Sequence, residues 1–246
     1  MFKLGVDTPN MPNIQQMLAS MPNEIPFATA KALTRTSKAV EVDLRATMER
    51  VFDRPKPFTV RSTFTKPATK RRLQSTVGLK DFAPKGTAAA QYLQAQIAGG
   101  KRRPKRSERA LQYRGRLKPG QYMAPGRDAR LNKYGNLTAA QVVKALSNVG
   151  GQIDTYQNTT SASAKRAGGR KYFWLPNNGI FWRQGKKLKS FMVIASNPNY
   201  RQRFDFYGVS QQSAERHLPD QVLRSVNEAI SEAARRSGAS SGRGGS

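Results

Sequence analysis

The sequence predicts an α+β fold with extended basic arms, in which a long N-terminal helix and a C-terminal helix pack on an antiparallel sheet. An apolar stripe recurs every three to four residues from 26 to 52, as in an amphipathic helix. An aromatic stretch from 171 to 195 contains Asn178-Gly179, a strong hairpin signal, and predicts a three-stranded meander. Pro219 precedes another apolar stripe, which predicts a closing helix.

The first helix has a recognisable start, apolar face and end. Pro26 suits a first helical turn, and Asp53-Arg54-Pro55 predicts the end. Its predicted core positions are Leu33, Val40 and Leu44. Small residues would let a neighbouring element approach closely, namely Ala28, Ala30, Ala32 and Ala39.

A second hairpin is predicted after this helix. Residues alternate in polarity from Phe58 to Phe64 and again from Leu73 to Leu79. The tip between these strands is basic, with Lys66, Lys70, Arg71 and Arg72. A projecting basic tip suits contact with a phosphate or an acidic protein surface, although a solvated turn has the same composition.

The aromatic residues of the meander predict a core or an interface. Alternation places Trp174 on the opposite face from Phe173 and Leu175, so one face can be buried and the other covered. A base-stacking platform is the alternative. The predicted core or interface set also includes Phe181, Trp182 and Phe191, with Val226 on the closing helix. One further strand is predicted over 203–207.

The middle of the chain contains its densest positive charge. After a helix predicted over 87–98, nine cations follow within 18 residues: Lys101, Arg102, Arg103, Lys105, Arg106, Arg109, Arg114, Arg116 and Lys118. Tyr113 and Tyr122 are interleaved, and a helix is predicted over 107–116. Arginine-rich segments with aromatic residues suit phosphate contact with base stacking. They also suit an acidic protein groove.

The next segment alternates turns with one helix. Residues 118–136 are rich in Pro and Gly, which predicts turns. Thr138 and Gln141 form a capping box that predicts a helix ending at Gly150-Gly151. The polar stretch 150–170 is predicted to be a linker or mobile loop.

The charge of the whole chain implies an anionic partner. Its 43 Lys and Arg outnumber 15 acids, for a net charge of +28. From Phe82 to Phe204, 24 cations face three acids, Glu108, Asp128 and Asp154. Solubility alone does not require nearly single-sign charge, whereas an anionic partner would relieve the self-repulsion.

No residue constellation predicts catalysis, a metal or a cofactor. The chain has no cysteine and a single histidine, His217, so a Cys-based zinc site or a His-based triad is not expected. The acids of the first helix, Glu41, Asp43 and Glu49, are expected to be ordinary exposed-face charges. No apolar run approaches the roughly 18 residues of a membrane span. An enzyme acting on nucleic acid is the weakest of the alternatives.

Several motifs together resemble a phage protein family. The helix PFATAKALTRTSKAVEVDLRATMERVF is followed by β-segments, the stretch NNGIFWRQGKKLKSFMVIASNPNYRQRF and the helix DQVLRSVNEAISEAARR. This order resembles the minor tail protein Z family of tailed bacteriophages and, more loosely, phage tail-completion and neck proteins. The matching positions are Ala30, Ala32, Leu33, Arg35, Val40, Leu44, Asn178-Gly179 and 222–230.

The resemblance implies a domain arrangement and a function. It covers 26–81 and 171–236 as an α+β core, with a basic insertion at 82–170, an N-terminal arm at 1–25 and a flexible tail at 237–246. It implies a non-enzymatic virion protein, assembled in the host cytoplasm, that forms a multi-copy ring at the head–tail junction. The expected partners are a portal or adaptor, a tail tube or tail terminator, and further copies of itself. Phosphates of DNA in the channel are a further expected contact, and the alternative function is a basic protein that packages or escorts DNA.

Overall fold

The computed structural model describes residues 24–84, 86–196 and 199–241, and these form two compact units. One unit contains the residues up to Ala90 and from Phe204 onwards, and the other runs from Gln91 to Arg203. Helices and antiparallel sheets occur in the same chain, which confirms the predicted α+β class. The predicted N-terminal arm lies almost entirely outside the described residues.

The elements follow one another in a mixed order. Seven α-helices and eight strands are described, with a 3₁₀ turn at Thr155–Gln157. The helices are α1 (Ile25–Val51), α2 (Pro57–Val60), α3 (Ala89–Ile97), α4 (Arg106–Tyr113), α5 (Ala139–Asn148), α6 (Ser161–Arg166) and α7 (Phe206–Ser241). The strands are β1 (Thr63–Lys66), β2 (Thr76–Leu79), β3 (Gly100–Lys101), β4 (Gln121–Pro125), β5 (Tyr172–Leu175), β6 (Gly179–Gln184), β7 (Lys187–Ser196) and β8 (Asn199–Tyr200).

An antiparallel pair of long helices, α1 and α7, is the largest part of the first unit. Val40, Leu44 and Met48 of α1 are buried, whereas Leu33 and, on α7, Val226 are only half-buried. Most of the other buried residues of these helices have small side chains, which lets two helix backbones approach closely. These buried small residues are Ala28, Ala30, Ala32, Thr36, Ser37, Ser210, Ser213, Ala214 and Ser225.

Charged contacts fix the register of the helix pair at two places. Glu228 accepts hydrogen bonds from Arg35 at 2.9 and 3.0 Å and lies 2.6 Å from the Lys31 ammonium. Asp43 accepts hydrogen bonds from Ser213 and Arg216, both at 2.6 Å. The prediction that the last helix begins at Pro219 is therefore wrong, because α7 is already helical at Phe206 and contains Pro219 in its interior.

The hairpin of β1 and β2 packs on α1 through Glu41. Its carboxylate accepts hydrogen bonds from Thr65 at 2.8 Å and Thr63 at 3.2 Å, and Arg45 of the same helix pairs with it. The predicted strand over 58–64 is displaced, because Pro57–Val60 forms a helical turn and β1 begins only at Thr63. Pro57 occupies the start of that turn, where a missing N–H costs nothing.

The second unit contains the predicted meander with a fourth strand added. Its sheet has the order β4-β7-β6-β5, all antiparallel. The loop between β5 and β6 is Pro176-Asn177-Asn178, with Asn177 left-handed at φ 60° and Leu175 paired with Gly179. The turn therefore lies one residue before the predicted Asn178-Gly179 centre.

The core of this unit lies between the sheet, α4 and α5. Phe191 and Ile180 are almost completely buried, with Leu111 and Leu146 from the two helices. Trp174 and Trp182 are half-buried and pack against this core, and Phe181 is also half-buried. The aromatic meander thus shares a unit with the segment 91–170, whereas the predicted arrangement groups it with the residues before 81.

Three further segments differ from prediction. Residues 150–170 are ordered by local contacts: Thr159 N–H donates to the Ser147 carbonyl at 3.0 Å, and α6 spans six residues. Residues 203–205 form no strand, because Asp205 accepts a hydrogen bond from Gly208 N–H at 2.9 Å at the start of α7. The helix α7 continues to Ser241, so the first part of the predicted flexible tail is helical.

Candidate basic interface

The cations between 101 and 118 divide into exposed and internally used groups. Six are exposed to solvent: Lys101, Arg103, Lys105, Arg106, Arg109 and Lys118. The other three, Arg102, Arg114 and Arg116, are half-buried and contact other parts of the same unit. We call the six exposed residues the basic interface.

Arg102 forms a buried ion pair with Glu108, whose side chain is completely buried. One guanidinium N–H lies 2.7 Å from a Glu108 oxygen, and Lys105 N–H and Met123 N–H donate to the same carboxylate at 2.6 and 2.9 Å. The Tyr122 ring lies 4.7 Å from the Arg102 guanidinium, and its hydroxyl donates to the Arg102 carbonyl at 3.0 Å. Glu108 therefore joins the basic segment, α4 and strand β4.

The hydrogen bonds to Glu108 keep it ionised despite its burial. Burial raises the pKa of this carboxyl, but the Arg102 guanidinium and the N–H groups of Met123 and Lys105 together hold its pKa below the ordinary value. The same pair raises the pKa of Arg102. The charge of Arg102 is thus neutralised inside the unit and is not offered to a partner.

Arg114 and Arg116 have structural contacts as well. The Arg114 guanidinium donates to the carbonyls of Gln152 at 2.9 Å and Ile153 at 2.7 Å. The Arg116 guanidinium lies 5.7 Å from the Trp174 ring, and burial lowers its pKa. These two arginines hold the 150–153 segment and the sheet against α4, which the charge pattern alone does not indicate.

The predicted basic tip of the hairpin is a second exposed surface, in the other unit. Lys66, Lys70, Arg71 and Arg72 are all exposed. The tip is held in place, because Ala68 N–H donates to Thr34 of α1 at 3.1 Å and the Lys70 ammonium lies 5.0 Å from the Phe27 ring.

All three carboxylates of the second unit are used within it. Glu108 is buried, Asp128 binds Lys189 at 3.1 Å and the N–H of Ser190 at 2.9 Å, and Asp154 accepts from Tyr156 N–H at 3.0 Å. Residues 91–203 contain 23 Lys and Arg against these three acids, a net charge of +20. The exposed charge of this unit is consequently almost entirely positive.

One face of α4 combines charge with an aromatic ring. Arg106, Arg109 and Tyr113 are spaced three and four residues apart, so they lie on one side of the helix, and all are exposed. Tyr113 is 73% exposed, whereas the other tyrosine of the segment, Tyr122, is buried. The sequence pattern does not separate these two tyrosines; the structure does.

His217 lies within α7, where its Nε2 is 3.2 Å from Asp43. Burial raises the pKa of Asp43, but hydrogen bonds from Ser213, His217 and Arg216 outweigh burial and lower it. A cavity of about 560 Å³ adjoins this cluster between α1 and α7. Ser213 donates its hydroxyl to Asp43 and not to His217, so this trio lacks the arrangement in which a histidine activates a serine.

A second cavity lies between α4 and α5, and the sequence pattern gives no indication of it. It encloses about 500 Å³ and has a largely aliphatic floor of Ala110, Ala139, Val142, Val143 and Leu146. Its rim is polar, with Arg106, Ser107, Gln152, Asp154 and Gln157, together with the apolar Ile153. We call it the α4–α5 groove. The apolar periodicity of residues 142–149 is visible in the sequence, but which of these side chains stays uncovered depends on the fold.

The comparisons with protein-family models, curated proteins and solved structures find no match to this chain. In the described part of the chain, no group of three or more His, Asp or Glu side chains is placed to hold a metal ion. None of the helices described has the length and apolarity that a membrane crossing requires.

Proposed function

We propose that this chain is a structural protein of a tailed-phage virion, a multi-copy adaptor at the head–tail junction whose basic interface binds an anionic partner surface. The observation that carries the proposal is the charge of the second unit. Its three carboxylates are all used internally, so its exposed charge is nearly of one sign. A surface of this kind gains most from association with an anionic surface.

Two further observations support an adaptor. The α1–α7 pair is held by ion pairs at two places, Glu228 with Lys31 and Asp43 with Arg216, as suits a protein with a structural role. The resemblance of α1, the meander and α7 to tail-completion proteins gives the proposed place in the virion. The partners would be a portal or adaptor, the tail tube or its terminator, and further copies of the chain.

The test is a phage in which the gene for this chain is interrupted. We expect DNA-filled heads and separate tails, with joined particles restored by the wild-type chain supplied in trans. Electron microscopy of the particles gives the readout, and mass spectrometry of purified virions gives the copy number. Normal, infectious particles that lack the chain would exclude the adaptor function.

A second candidate is a protein that packages or escorts DNA. It is favoured by the exposed face of α4, where Arg106, Arg109 and Tyr113 combine charge with an aromatic ring. Such a face suits phosphate contact with base stacking. A salt-dependent binding measurement separates the two candidates.

A further inference from the structure

The α4–α5 groove is formed in advance by hydrogen bonds from its own unit. The Arg114 guanidinium binds the carbonyls of Gln152 and Ile153, and the Gln152 amide donates to the Val143 carbonyl at 3.3 Å. The Ser147 hydroxyl donates to the Gln157 carbonyl at 2.7 Å. These contacts fix the rim against α5, so a ligand would not have to order it.

The groove leaves aliphatic side chains uncovered. Val143 is 53% exposed and Ile153 is 52% exposed, although both lie beside the buried core residue Leu146. Contiguous exposed apolar surface with a polar rim is typical of a binding site. Covering these side chains would remove apolar area from water, which is favourable in proportion to the area.

The surroundings of the groove are positive. Arg106 lies on its rim, Arg109 is exposed three residues later on the same helix, and the unit as a whole has a net charge of +20. Asp154, the only carboxylate among the described residues that line the groove, accepts hydrogen bonds from Tyr156 N–H and, at 3.2 Å, the Gln157 amide. An occupant that places carboxylates at this rim meets complementary charge.

We infer that the α4–α5 groove is a docking site for an acidic protein segment that inserts aliphatic side chains between α4 and α5. The inference rests on the proposed function, since it specifies the anionic partner of the basic interface as protein. The aliphatic floor decides between protein and nucleic acid. Phosphate contact needs no aliphatic floor, and bases stack on aromatic side chains, none of which lines this groove in the described part of the unit.

The test uses the full-length chain and two dye-labelled helical peptides of equal length and charge. One contains Glu and Leu, and in the other every Leu is Ala. Fluorescence anisotropy at about 150 mM salt, where long-range charge effects are largely screened, measures both affinities. We expect the Leu peptide to bind about tenfold more tightly, since buried aliphatic groups add this much affinity.

Variants locate the binding. Val143→Ser and Ile153→Ser should each lower the affinity for the Leu peptide several-fold, towards the affinity for the Ala peptide. Leu188→Ser is the matched control, because Leu188 is 49% exposed in the same unit but does not line the groove. Methyl NMR of the wild-type chain gives a measurement independent of any variant, with shifts expected at Val142, Val143 and Leu146.

Equal affinity for the two peptides, or methyl shifts confined to other residues, would overturn the inference. The inference would also be overturned if a single-stranded oligonucleotide bound the wild-type chain and bound Val143→Ser more weakly. The groove would then be a nucleic-acid site. The adaptor function is tested separately in virions. If the chain joins heads to tails but binds the Leu and Ala peptides with equal affinity, only the groove assignment is refuted.

Discussion

Glu108 is the side chain on which the basic segment depends for its place in the second unit. It is completely buried and accepts hydrogen bonds from Arg102 and from the N–H groups of Lys105 and Met123. Each donor belongs to a different part of the unit: the basic segment, the start of α4 and strand β4. The unit has few acids, and this carboxylate is the buried counter-ion that allows the Arg102 guanidinium to be half-buried.

Removal of this charge should be costly to stability. Glu108→Gln keeps the shape of the side chain but leaves Arg102 without its anion, and we expect a loss of about 3–5 kcal/mol, as for other broken buried pairs. Urea unfolding monitored by tryptophan fluorescence reports on this unit, because both tryptophans of the chain are in it. Asp154→Asn, which removes an exposed acid of the same unit but keeps an acceptor for Tyr156 N–H, is the control and should change little. A similar small change for Glu108→Gln would show that the buried pair contributes little to stability.

Glu228 gives the α1–α7 pair a dependence on acid pH. Hydrogen bonds from Arg35 and Lys31 lower its pKa from 4.5 to about 2. A carboxyl whose pKa is lower in the folded state stabilises the fold above its unfolded pKa, and this contribution is lost as pH falls. The contribution should therefore be complete above about pH 5 and disappear between 4.5 and about 2.

The variant Glu228→Gln isolates this contribution. Its melting temperature should lie below that of wild type at pH 6, and the difference should shrink as the pH falls towards 2. Circular dichroism at 222 nm follows the melting of the helices. Glu49→Gln, which removes an exposed acid of α1, should leave the pH profile of wild type unchanged. A constant difference at all pH values would contradict the ionic origin of the effect.

Strand pairing between β6 and β7 depends on Gly179. This residue has φ +125°, and a Cβ built on it would lie 2.2 Å from the Met192 carbonyl oxygen. Gly179→Ala should therefore force the two strands apart and remove most of the cooperative unfolding of the second unit. Gly185→Ala is the matched control, since its φ of +58° is also left-handed but its Cβ would meet nothing within 4 Å. The control should cost about 1–2 kcal/mol from backbone conformation alone.

Thermal unfolding followed by near-ultraviolet circular dichroism compares these two glycine variants. The aromatic signal of the sheet, from Trp174, Trp182 and their neighbours, should be lost at room temperature only for Gly179→Ala. Equal behaviour of the two variants would mean that the strands can move apart at little cost.

The elements with strong local signals could be predicted from the sequence, whereas those fixed by tertiary contacts could not. The stripe of α1, the capping box of Thr138 and the alternation of the meander are local properties, and the structure contains all three. Pro219 is a local helix-start signal that tertiary packing overrides. Asp43 binds Ser213 and Arg216 before the proline, and Glu228 binds α1 after it, so α7 stays helical through Pro219.

The candidate interface shows the same limit. Charge density predicts that all nine cations of 101–118 face a partner. Three of them contact their own unit instead: Arg102 pairs with Glu108, Arg114 binds two backbone carbonyls and Arg116 lies against the Trp174 ring. Strand β4 was not predicted for a related reason. Pro119-Gly120 and Pro125-Gly126 give its segment the composition of a loop. Tertiary contacts determine both the roles of these arginines and the formation of β4. Local composition gives no information about such contacts.

At the scale of the whole molecule, charge is divided unequally between the units. Of the net charge of +28, residues 91–203 hold +20. The hairpin tip of the other unit carries four exposed cations between Lys66 and Arg72. A polyanion could bind either surface by charge alone, so comparison of the two surfaces tests what each of them binds.

Salt dependence of DNA binding separates the adaptor from the DNA-packaging candidate. If the second unit binds DNA, the affinity for a 30-base-pair duplex should fall steeply with salt, with a slope of about −0.9 in log K against log salt for each phosphate neutralised. Replacing Lys101, Arg103, Arg106 and Arg109 by Ser should then reduce the slope by about 3–4. Replacing Lys66, Lys70, Arg71 and Arg72 by Ser is the matched control, because it removes the same charge from the other unit.

The adaptor function predicts no measurable duplex binding at about 150 mM salt. It also predicts that head–tail joining is lost when Lys101, Arg103, Arg106 and Arg109 are replaced. Tight binding at that salt, lost only with these substitutions while particles still join, would favour the DNA-packaging function instead.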